Sequence, residues 1–370
     1  MIHDQSKPRI ALAHDWLVGM RGGEFVLDRL ARQFGPTDLY TLVSNGRPLT
    51  ETISACRVIT SPLQRFPWAS GRLRRQYLPL MPWAVSRLKV APCELLISTS
   101  SAVMKSIRPP KGTPHLCYCH SPARYIWAQR REYATGSGGL LRGMGLALIG
   151  PVFRRWDRAT ADRVTMFLAN SQHTARRIQR YFDREAQVVY PPVRTDWFTP
   201  DPGVQREDWL LVVSALEPYK RTELVVRAAS QAGLKLKVAG DGSQRKALAA
   251  AAGPTVEMLG RVDDVTLREL YRRAKALVFP QVEDFGLIPV EAQATGCPVI
   301  AYAAGGAVET VTPQTGVFFK QHTVEALVEA IAALDQAQID PVQCRRNAER
   351  FNEHVFDQAM RRAVNTVLGQ

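Results

Sequence analysis

The chain has 370 residues, of which 46% are hydrophobic and 22% charged, an ordinary globular composition. This length exceeds what one hydrophobic core usually supports, so we expect two domains. The net charge of +14 would suit a nucleic-acid-binding protein, but no DNA- or RNA-binding motif is visible, and that class is not favoured.

Cysteine usage and hydropathy predict a protein that is made and kept in the cytoplasm. The six cysteines are scattered without a C-x-x-C pair, which favours reduced thiols. Cys117 and Cys119 stand beside His120, but no second ligand pair with zinc spacing accompanies them, so we predict no metal site. The N-terminus lacks an apolar core, and the longest apolar stretch, residues 143–153, is too short to cross a bilayer.

The first half of the chain alternates predicted strands with helix or turn signals. Residues 9–13 form the first strand and residues 25–34 a helix, and the loop between them carries Gly22 and Gly23. Glycines at such a turn let the backbone approach a ligand closely. The loop lacks the G-x-G-x-x-G fingerprint, so a nicotinamide cofactor is not supported. Further strands are predicted at residues 38–43, 95–99, 116–119 and 165–169.

A proline-rich stretch, residues 191–202, interrupts this alternation and marks a domain boundary. A strand at residues 209–214 then opens a second alternating unit. The predicted fold class is α/β, with two doubly wound, Rossmann-like domains at residues 1–195 and 196–352. The strand ends of both domains are expected to face a cleft, because ligands of such folds bind outside the carboxyl ends of the strands.

The second unit contains a strand, a loop and a helix in direct succession. Residues 276–279 form a buried apolar strand, residues 280–285 a loop, and residues 287–295 a helix with proline in its first turn. Glu283 lies on the loop and Glu291 in the opening turns of the helix. Both carboxylates can therefore face the helix N-terminus, where free N–H groups and the positive end of the dipole attract anions.

This arrangement is suited to a sugar nucleotide. Carboxylates accept hydrogen bonds from sugar and ribose hydroxyls. Backbone N–H groups around Gly286 and in the turn at residues 305–306 can hold a diphosphate without side-chain cations. Lys220 follows a strand and a proline-marked turn in the same unit. The sequence has no D-x-D triad that would hold a divalent metal against the diphosphate.

The chain resembles the retaining glycosyltransferases of family 4, which have the GT-B fold. It is most similar to bacterial mannosyltransferases of O-antigen and exopolysaccharide assembly. The resemblance implies transfer of mannose from GDP-mannose to a lipid-linked or saccharide acceptor without a metal or other cofactor. It rests on five motifs in order, Y-C-H-S-P at residues 118–122, A-N-S at 169–171, Y-P-P-V at 190–193, S-A-L-E-P-Y-K-R at 214–221 and E-D-F-G-L-I-P-V-E at 283–291.

The resemblance also assigns catalytic roles. Lys220 is expected to neutralise the donor diphosphate, which is the leaving group, and Glu283 to hold hydroxyls of the transferred sugar. His120 is expected to face this sugar near its anomeric carbon. Many family members carry an arginine where this chain has Ala215, so Arg221 or another cation has to supply the missing charge.

Further residues are assigned to the substrates. Glu291 is expected to hold the ribose hydroxyls, and Asp15 to meet the acceptor. Asn170 is expected to bind the donor, and a structural role at the start of a helix is an equal alternative. The C-terminal segment, residues 353–370, is expected to pack back on the first domain as a helix. The remaining predicted donor-binding residues are Gly22, Gly23, Arg221, Val262, Phe285, Gly286 and Leu287.

The charge is concentrated in the first half, where residues 1–190 hold 28 Lys and Arg against 12 Asp and Glu. Residues 52–93 contain seven basic residues and no acidic one, with tryptophans interleaved. Such a segment suits anionic lipid headgroups, although a single arginine of this kind often only solvates a helix. We therefore expect a peripheral protein at the inner face of the cytoplasmic membrane that acts on a polyprenyl-linked oligosaccharide.

Two other classes share some of these features. A dinucleotide-dependent oxidoreductase or a sugar-nucleotide epimerase has the same doubly wound architecture. Such an enzyme is expected to carry G-x-G-x-x-G after the first strand, and this chain does not. A nucleic-acid-binding protein would explain the sequence pI of about 9.8 but leaves the paired carboxylates without a purpose. The acceptor structure, the linkage, the base and the oligomeric state are not readable from the chain.

Overall fold

The computed structural model describes residues 8–71, 73–74, 76–127 and 150–370. Arg72 and Arg75 of the basic segment, and residues 143–149 of the apolar stretch, therefore lie outside the described residues. The chain divides into two compact units, Met1–Pro192 with Phe356–Gln370 and Val193–Val355.

The first unit contains a seven-stranded sheet in the order β3-β2-β1-β4-β5-β6-β7, in which all neighbouring strands are parallel. Two buried apolar clusters cover its two faces, because successive residues of a strand point to opposite sides. The strands are β1 Ile10–Leu17, β2 Asp38–Ser44, β3 Arg57–Thr60, β4 Leu95–Ser100, β5 His115–Cys119, β6 Met166–Ala169 and β7 Ala186–Val188. The helices are α1 Gly22–Phe34, α2 Glu51–Ser54, α3 Met81–Ser86, α4 Arg124–Trp127 and α5 Gln172–Phe182, and residues 150–159 are also helical.

The second unit contains a six-stranded parallel sheet in the order β10-β9-β8-β11-β12-β13. Its strands are β8 Leu210–Val213, β9 Leu236–Ala239, β10 Val256–Gly260, β11 Ala276–Phe279, β12 Val299–Tyr302 and β13 Gly316–Phe319. Its helices are α6 Thr222–Ala232, α7 Arg245–Ala251, α8 Asp264–Arg273, α9 Leu287–Ala294, α10 Ala307–Thr310, α11 Val324–Gln336 and α12 Pro341–Glu349. The two sheets confirm the predicted α/β class with two Rossmann-like domains.

The sheet order reverses between β1 and β4 in the first unit and between β8 and β11 in the second. Crevices at the carboxyl ends of strands on either side of such a reversal are the usual ligand sites of open α/β sheets. The loops that follow β1, β4, β8 and β11 are therefore the first places to search for function.

The first strand is longer than the sequence predicts. We expected it to end at Ala13, because His14 and Asp15 are polar, but β1 continues to Leu17. Both polar side chains find partners inside the unit, since His14 Nδ1 lies 2.6 Å from Thr99 Oγ1 and Asp15 accepts backbone N–H groups of residues 101–104. A polar residue whose hydrogen bonds are satisfied does not end a buried strand.

The last helix, α13 (Glu353–Leu368), belongs from Phe356 onward to the first unit. Phe356 and Met360 are buried in the cluster that covers one face of the seven-stranded sheet, and the Phe356 ring packs edge-on against Tyr118 at 5.8 Å between centroids. Arg29 of α1 donates two hydrogen bonds to the Asp357 carboxylate, at 2.9 and 2.7 Å. Among the described helices, none is long and apolar enough to span a bilayer.

We predict that Phe356→Ala lowers the free energy of unfolding of the first unit by about 3–5 kcal/mol, because the substitution leaves a cavity beneath Tyr118. The neighbouring Val355 is 43% exposed, so Val355→Ala is the matched control and should cost less than about 0.5 kcal/mol. Urea unfolding followed by intrinsic fluorescence measures both. Equal effects of the two substitutions would show that α13 does not contribute to the core.

Candidate functional site

The loops after β8 and β11 are joined by an ion pair. The Lys220 ammonium contacts the Glu283 carboxylate directly, and the two side chains are only 14% and 16% exposed. Lys220 ends a short 3₁₀ helix, Pro218–Lys220, that follows β8, and Glu283 lies on the loop that follows β11. The structure therefore brings together two residues that are 63 positions apart and that the sequence assigned to one site.

The Glu283 loop is held in place by backbone contacts with two glycines. Gly306 N–H donates to the Glu283 carbonyl at 2.8 Å, and a Cβ on Gly305 or Gly306 would collide with the backbone of Glu283 or Phe285. The Gly306 N–H is already used in this contact, so it is not one of the donors that the turn at residues 305–306 is predicted to offer to a diphosphate. The turn supports the loop.

The Phe285 ring is not available to the donor that this residue is predicted to bind. Phe285 is 3% exposed, and its ring packs edge-on against Phe351, with 5.5 Å between ring centroids. An aromatic ring buried in this way anchors the loop to the core of the unit. Leu287, the first residue of α9, is partly exposed and remains a candidate for contact with the donor.

Two helices begin beside the ion pair without a side-chain cap. The N-cap of α9 is Gly286, with φ of 87°, and that of α6 is Arg221, with φ of 57°, and neither receives a side-chain capping hydrogen bond. The first N–H groups of both helices are thus donors that a bound anion can use. Thr222, the first residue of α6, is fully buried, and its hydroxyl finds no hydrogen-bond partner among the described residues. The Arg221 side chain is exposed.

Glu291 lies in the second turn of α9 and is half-buried. Burial raises the pKa of Glu291 to about 7, although Arg194 and a 3.2 Å hydrogen bond from the buried Tyr271 hydroxyl act in the opposite direction. A carboxylate that is costly to ionise gains most from a ligand that donates hydrogen bonds to it. The residue is suited to hydroxyl groups. Nothing in the sequence pattern pointed to Tyr271.

Val262, which is predicted to bind the donor, lies on the loop that follows β10. Val262 is partly exposed, and the next residue, Asp263, caps α8 by accepting the Thr266 N–H at 2.7 Å. Gly260 has φ of 72°, and a Cβ there would lie 3.3 Å from the Arg245 guanidinium. The guanidinium therefore covers the backbone at the end of β10, a neighbour that the sequence did not suggest.

The loops after β8 and β9 are in close contact at two glycines, Gly240 and Gly242, which were not among the predicted site residues. A Cβ on Gly240 would collide with the Ser214 backbone, and one on Gly242 would lie 2.5 Å from the Leu216 carbonyl oxygen. Ser243 Oγ then donates to the Glu217 carboxylate at 2.7 Å. The spacing of two glycines directly after a strand was the available signal. Their lack of side chains allows the β8 loop, which carries Lys220, to lie against its neighbour.

In the first unit, His120 follows β5 at the carboxyl edge of the sheet. Its carbonyl accepts a hydrogen bond from the Asn170 side-chain amide at 3.0 Å, and Ser171 Oγ donates to Asn170 Oδ1 at 3.3 Å. Asn170 is buried and Ser171 caps α5. The contacts of the Asn170 side chain therefore match the structural alternative rather than a contact with the donor. Asn170 holds the backbone that carries His120.

Gly22 and Gly23 are the first two residues of α1 rather than part of a loop. A Cβ on Gly23 would lie 3.3 Å from His14 Cε1 and 3.5 Å from His120 Nε2. The glycine thus allows the start of α1 to rest against two imidazole rings. His14 and its neighbour Glu24 were not among the predicted site residues.

The acceptor role predicted for Asp15 is not supported by its position. Its side chain is buried, and its carboxylate accepts four backbone N–H groups, of residues 101–104, at 2.6 to 3.0 Å. A carboxylate with its lone pairs occupied in this way organises the loop after β4 and is not available to a substrate.

The described residues contain no group of three or more His, Cys, Asp or Glu side chains that could hold a metal ion. Burial raises the pKa of the Cys117 thiol to about 12.

Comparison with known families agrees with this architecture. Residues 20–197 match the model of glycosyltransferase family 4, and residues 195–351 match that of the glycosyl transferases group 1. The chain belongs to the family 4 and group 1 glycosyltransferases. The boundary between the two matched segments falls beside the boundary between the two compact units.

Curated relatives are similar over part of their length. The chain is 30% identical over 204 residues to a D-inositol 3-phosphate glycosyltransferase of Mycobacteroides abscessus, covering 48% of this chain and 46% of that protein. It is 29% identical over 214 residues to a GDP-mannose-dependent monoacylated alpha-(1-6)-phosphatidylinositol monomannoside mannosyltransferase of Corynebacterium glutamicum, covering 50% and 56%. The chain thus spans about half the length of the curated relatives it matches.

Solved structures share the whole fold. A sucrose-phosphate synthase from Thermosynechococcus elongatus superposes with a TM-score of 0.74 at 19% identity, over 98% of this chain and 100% of that one. Anabaena HepE in complex with UDP and glucose gives 0.69 at 17% identity, over 97% and 99%. At such identities the likeness establishes the GT-B fold.

The pKa of Glu291 predicts a pH dependence of stability. Because this pKa is about 7 in the folded chain and about 4.3 in an unfolded one, the folded state binds more protons between these values, and stability falls as the pH rises. We predict that the Glu291→Gln chain does not lose stability in this way. The difference between its free energy of unfolding and that of the original chain should grow in favour of the variant by on the order of 1–3 kcal/mol as the pH rises from 5 to 8.

Urea unfolding at the two pH values measures this difference. Glu325→Gln is the control, because Glu325 is an exposed carboxylate in the first turn of α11. If the free energy of unfolding of the Glu291→Gln chain changed with pH as that of the original chain does, the raised pKa of Glu291 would be contradicted.

Proposed function

We propose that this chain transfers mannose from GDP-mannose, with retention of the anomeric configuration, to a lipid-linked or saccharide acceptor in cell-surface polysaccharide synthesis. The observation that carries the proposal is the contact between Lys220 and Glu283, which lies beside the uncapped N-termini of α6 and α9. A cation, a carboxylate and two sets of backbone N–H groups together match a diphosphate bonded to a sugar.

The choice of donor rests on similarity. The relative from Corynebacterium glutamicum is named as GDP-mannose-dependent, whereas Anabaena HepE was crystallised with UDP and glucose. The residues after β10 offer mainly backbone groups to a base, which both bases can use. We choose GDP-mannose because the sequence motifs are most similar to those of mannosyltransferases.

The proposed reaction begins as the bond between the anomeric carbon and the diphosphate oxygen breaks. Negative charge then grows on the leaving diphosphate, where Lys220 and the N–H groups of α6 and α9 are placed to stabilise it more than they stabilise the ground state. The acceptor hydroxyl attacks from the same face, and the departing diphosphate takes its proton. Glu283 orients the transferred sugar, and His120 contributes one hydrogen bond to it. No divalent metal is required in this scheme, since the helix N-termini and Lys220 take its place.

We predict that the two glutamates affect different constants. Glu291→Gln should raise the dissociation constant of GDP-mannose about 10- to 100-fold, because a hydrogen bond to a charged group contributes about 1.5–3 kcal/mol. Glu283→Gln should lower the turnover number by a similar factor and change binding less, because Glu283 holds the sugar that reacts.

Calorimetric titration with GDP-mannose and a transfer assay in EDTA measure the two constants, with Glu325→Gln as the control. Proton NMR of the product reports the anomeric configuration. Near-original values for both variants would contradict the assignment of the two glutamates. Activity that EDTA abolishes and magnesium restores would contradict the metal-free scheme.

Membrane association belongs to the same proposal. The Phe66 ring packs against those of Tyr77 and Trp83, at 5.5 and 6.3 Å between centroids, so the basic segment folds on itself around an aromatic cluster. Trp68 and Trp83 remain 60% and 40% exposed. Exposed tryptophans among basic side chains are suited to the headgroup region of an anionic membrane.

Among the described residues of this segment, Arg65, Arg87 and Lys89 carry positive charge at exposed positions. Arg57, by contrast, donates two 2.7 Å hydrogen bonds to Asp38 and is thereby engaged within the unit. Each basic residue near an anionic surface contributes on the order of 1 kcal/mol, so three of them hold the chain there reversibly.

We predict that the chain sediments with vesicles of anionic phospholipid, and that salt releases it because the attraction is screened. Arg65→Glu/Arg87→Glu/Lys89→Glu should bind such vesicles at least tenfold more weakly and should bind GDP-mannose normally. The control is Arg227→Glu/Lys246→Glu/Arg346→Glu, an equal charge change on exposed helix positions of the second unit. Equal binding to neutral and anionic vesicles, or equal loss in both variants, would reject this surface.

A further inference from the structure

A buried pair of ionisable side chains lies beside His120 and has no role in the scheme above. His14, in the middle of β1, and Glu24, in the first turn of α1, are 4% and 3% exposed. His14 Nε2 lies 3.7 Å from Glu24 Oε1, and His14 Nδ1 lies 2.6 Å from Thr99 Oγ1. A buried acid in the first turn of a helix usually needs a specific partner, and His14 supplies it.

The hydrogen bonds orient the His14 ring. The Thr99 hydroxyl lies 2.6 Å from His14 Nδ1 and 3.4 Å from the Ala13 carbonyl oxygen. On the other side of the ring, an ionised Glu24 carboxylate can only accept, so Nε2 carries the proton that faces it. The ring is thus held between Thr99 of β4 and Glu24 of α1.

This pair is in direct reach of His120. The rings of His14 and His120 are perpendicular, with 6.5 Å between centroids, and Gly23 lies against both. Burial alone would raise the pKa of Glu24, but the hydrogen bond and charge of His14 outweigh it, with a smaller contribution from the charge of His120, and the pKa is lowered. The Glu24 charge therefore acts on both imidazoles.

A second buried carboxylate lies nearby in the chain, that of Asp15 on β1, but it is directed away from this cluster. Its oxygens are bound by the N–H groups of residues 101–104. Among the described residues, the cluster contains the ionisable groups His14 on β1, Glu24 on α1 and His120 after β5. The Tyr118 ring also packs on His120, at 5.1 Å between centroids, but its hydroxyl donates to the Val189 carbonyl and burial holds its pKa well above the usual value.

We propose that Glu24 is a positioning residue for His120, which acts by binding His14 Nε2–H and by fixing the start of α1 against both rings. A neutral residue at position 24 would remove the carboxylate that faces the two imidazoles. The consequence for sugar transfer rests on the proposed function, whereas the coupling between the three side chains does not.

The test is an NMR titration of the histidine side chains, with Glu24→Gln as the isosteric variant. We expect the titration midpoint of the His14 ring to fall, because a carboxylate within about 4 Å stabilises the protonated form of an imidazole. The His120 midpoint should move by a smaller amount in the same direction. Glu24→Asp, which keeps the charge, should hold both midpoints closer to those of the original chain.

Glu51→Gln is the matched control, because Glu51 lies in the first turn of α2 and is exposed, and it should move neither midpoint. Unchanged midpoints of His14 and His120 in folded Glu24→Gln would overturn the inference. If Glu24→Gln does not fold, carbon NMR of Glu24 in His14→Gln replaces it. There the carboxyl pKa should rise above its usual value, and a pKa that stays low would overturn the inference equally.

A transfer assay separates this inference from the proposed function. In Glu24→Gln the pH at which kcat is half-maximal should move with the His120 midpoint, while the KM for GDP-mannose stays within about twofold, since Glu24 touches no substrate. If the His120 midpoint moves but the pH dependence of kcat does not, Glu24 is not a positioning residue for His120. If the chain transfers no sugar from any nucleotide, the proposed function fails while the titration result still decides the coupling.

Discussion

The contact between Lys220 and Glu283 is the interaction on which the candidate site depends, because it connects the two strands where the sheet order reverses. β8 and β11 are direct neighbours, paired at Ala276 with Leu210, and the loops that leave them carry the two charges. The ion pair would be poorly defined if either loop could move. The Glu283 loop is fixed by the Gly306 N–H and by His322, whose Nε2 donates to the Pro280 carbonyl at 2.9 Å.

The parts of this site that are continuous in the chain could be predicted from sequence. β11 occupies residues 276–279 as expected, and α9 begins at Leu287, because an apolar run, a loop and a first-turn proline are local signals. The parts that depend on distant partners could not. His14 and Asp15 looked like loop residues, since their partners at Thr99 and beyond lie about 85 positions away.

The same distinction explains the residues whose roles changed. Phe285 belongs to a motif associated with donor binding, yet its ring is placed by Phe351, which no local pattern connects to it. Asn170 offers an amide that could serve a ligand, and only the fold shows that the His120 carbonyl accepts it. A motif identifies which backbone approaches a ligand, whereas tertiary contacts determine which side chains remain available to it.

The departure at Ala215 affects how phosphate charge is met. Ala215 is exposed at the end of β8, where a longer basic side chain would add a second cation beside Lys220. Lys220 is itself partly neutralised by Glu283, and Arg221 occupies a left-handed N-cap position with its side chain exposed. In the proposed function, most of the diphosphate charge is therefore offset by the N–H groups of α6 and α9. Backbone donors are fixed by their helices, so they cost no side-chain entropy when a ligand binds.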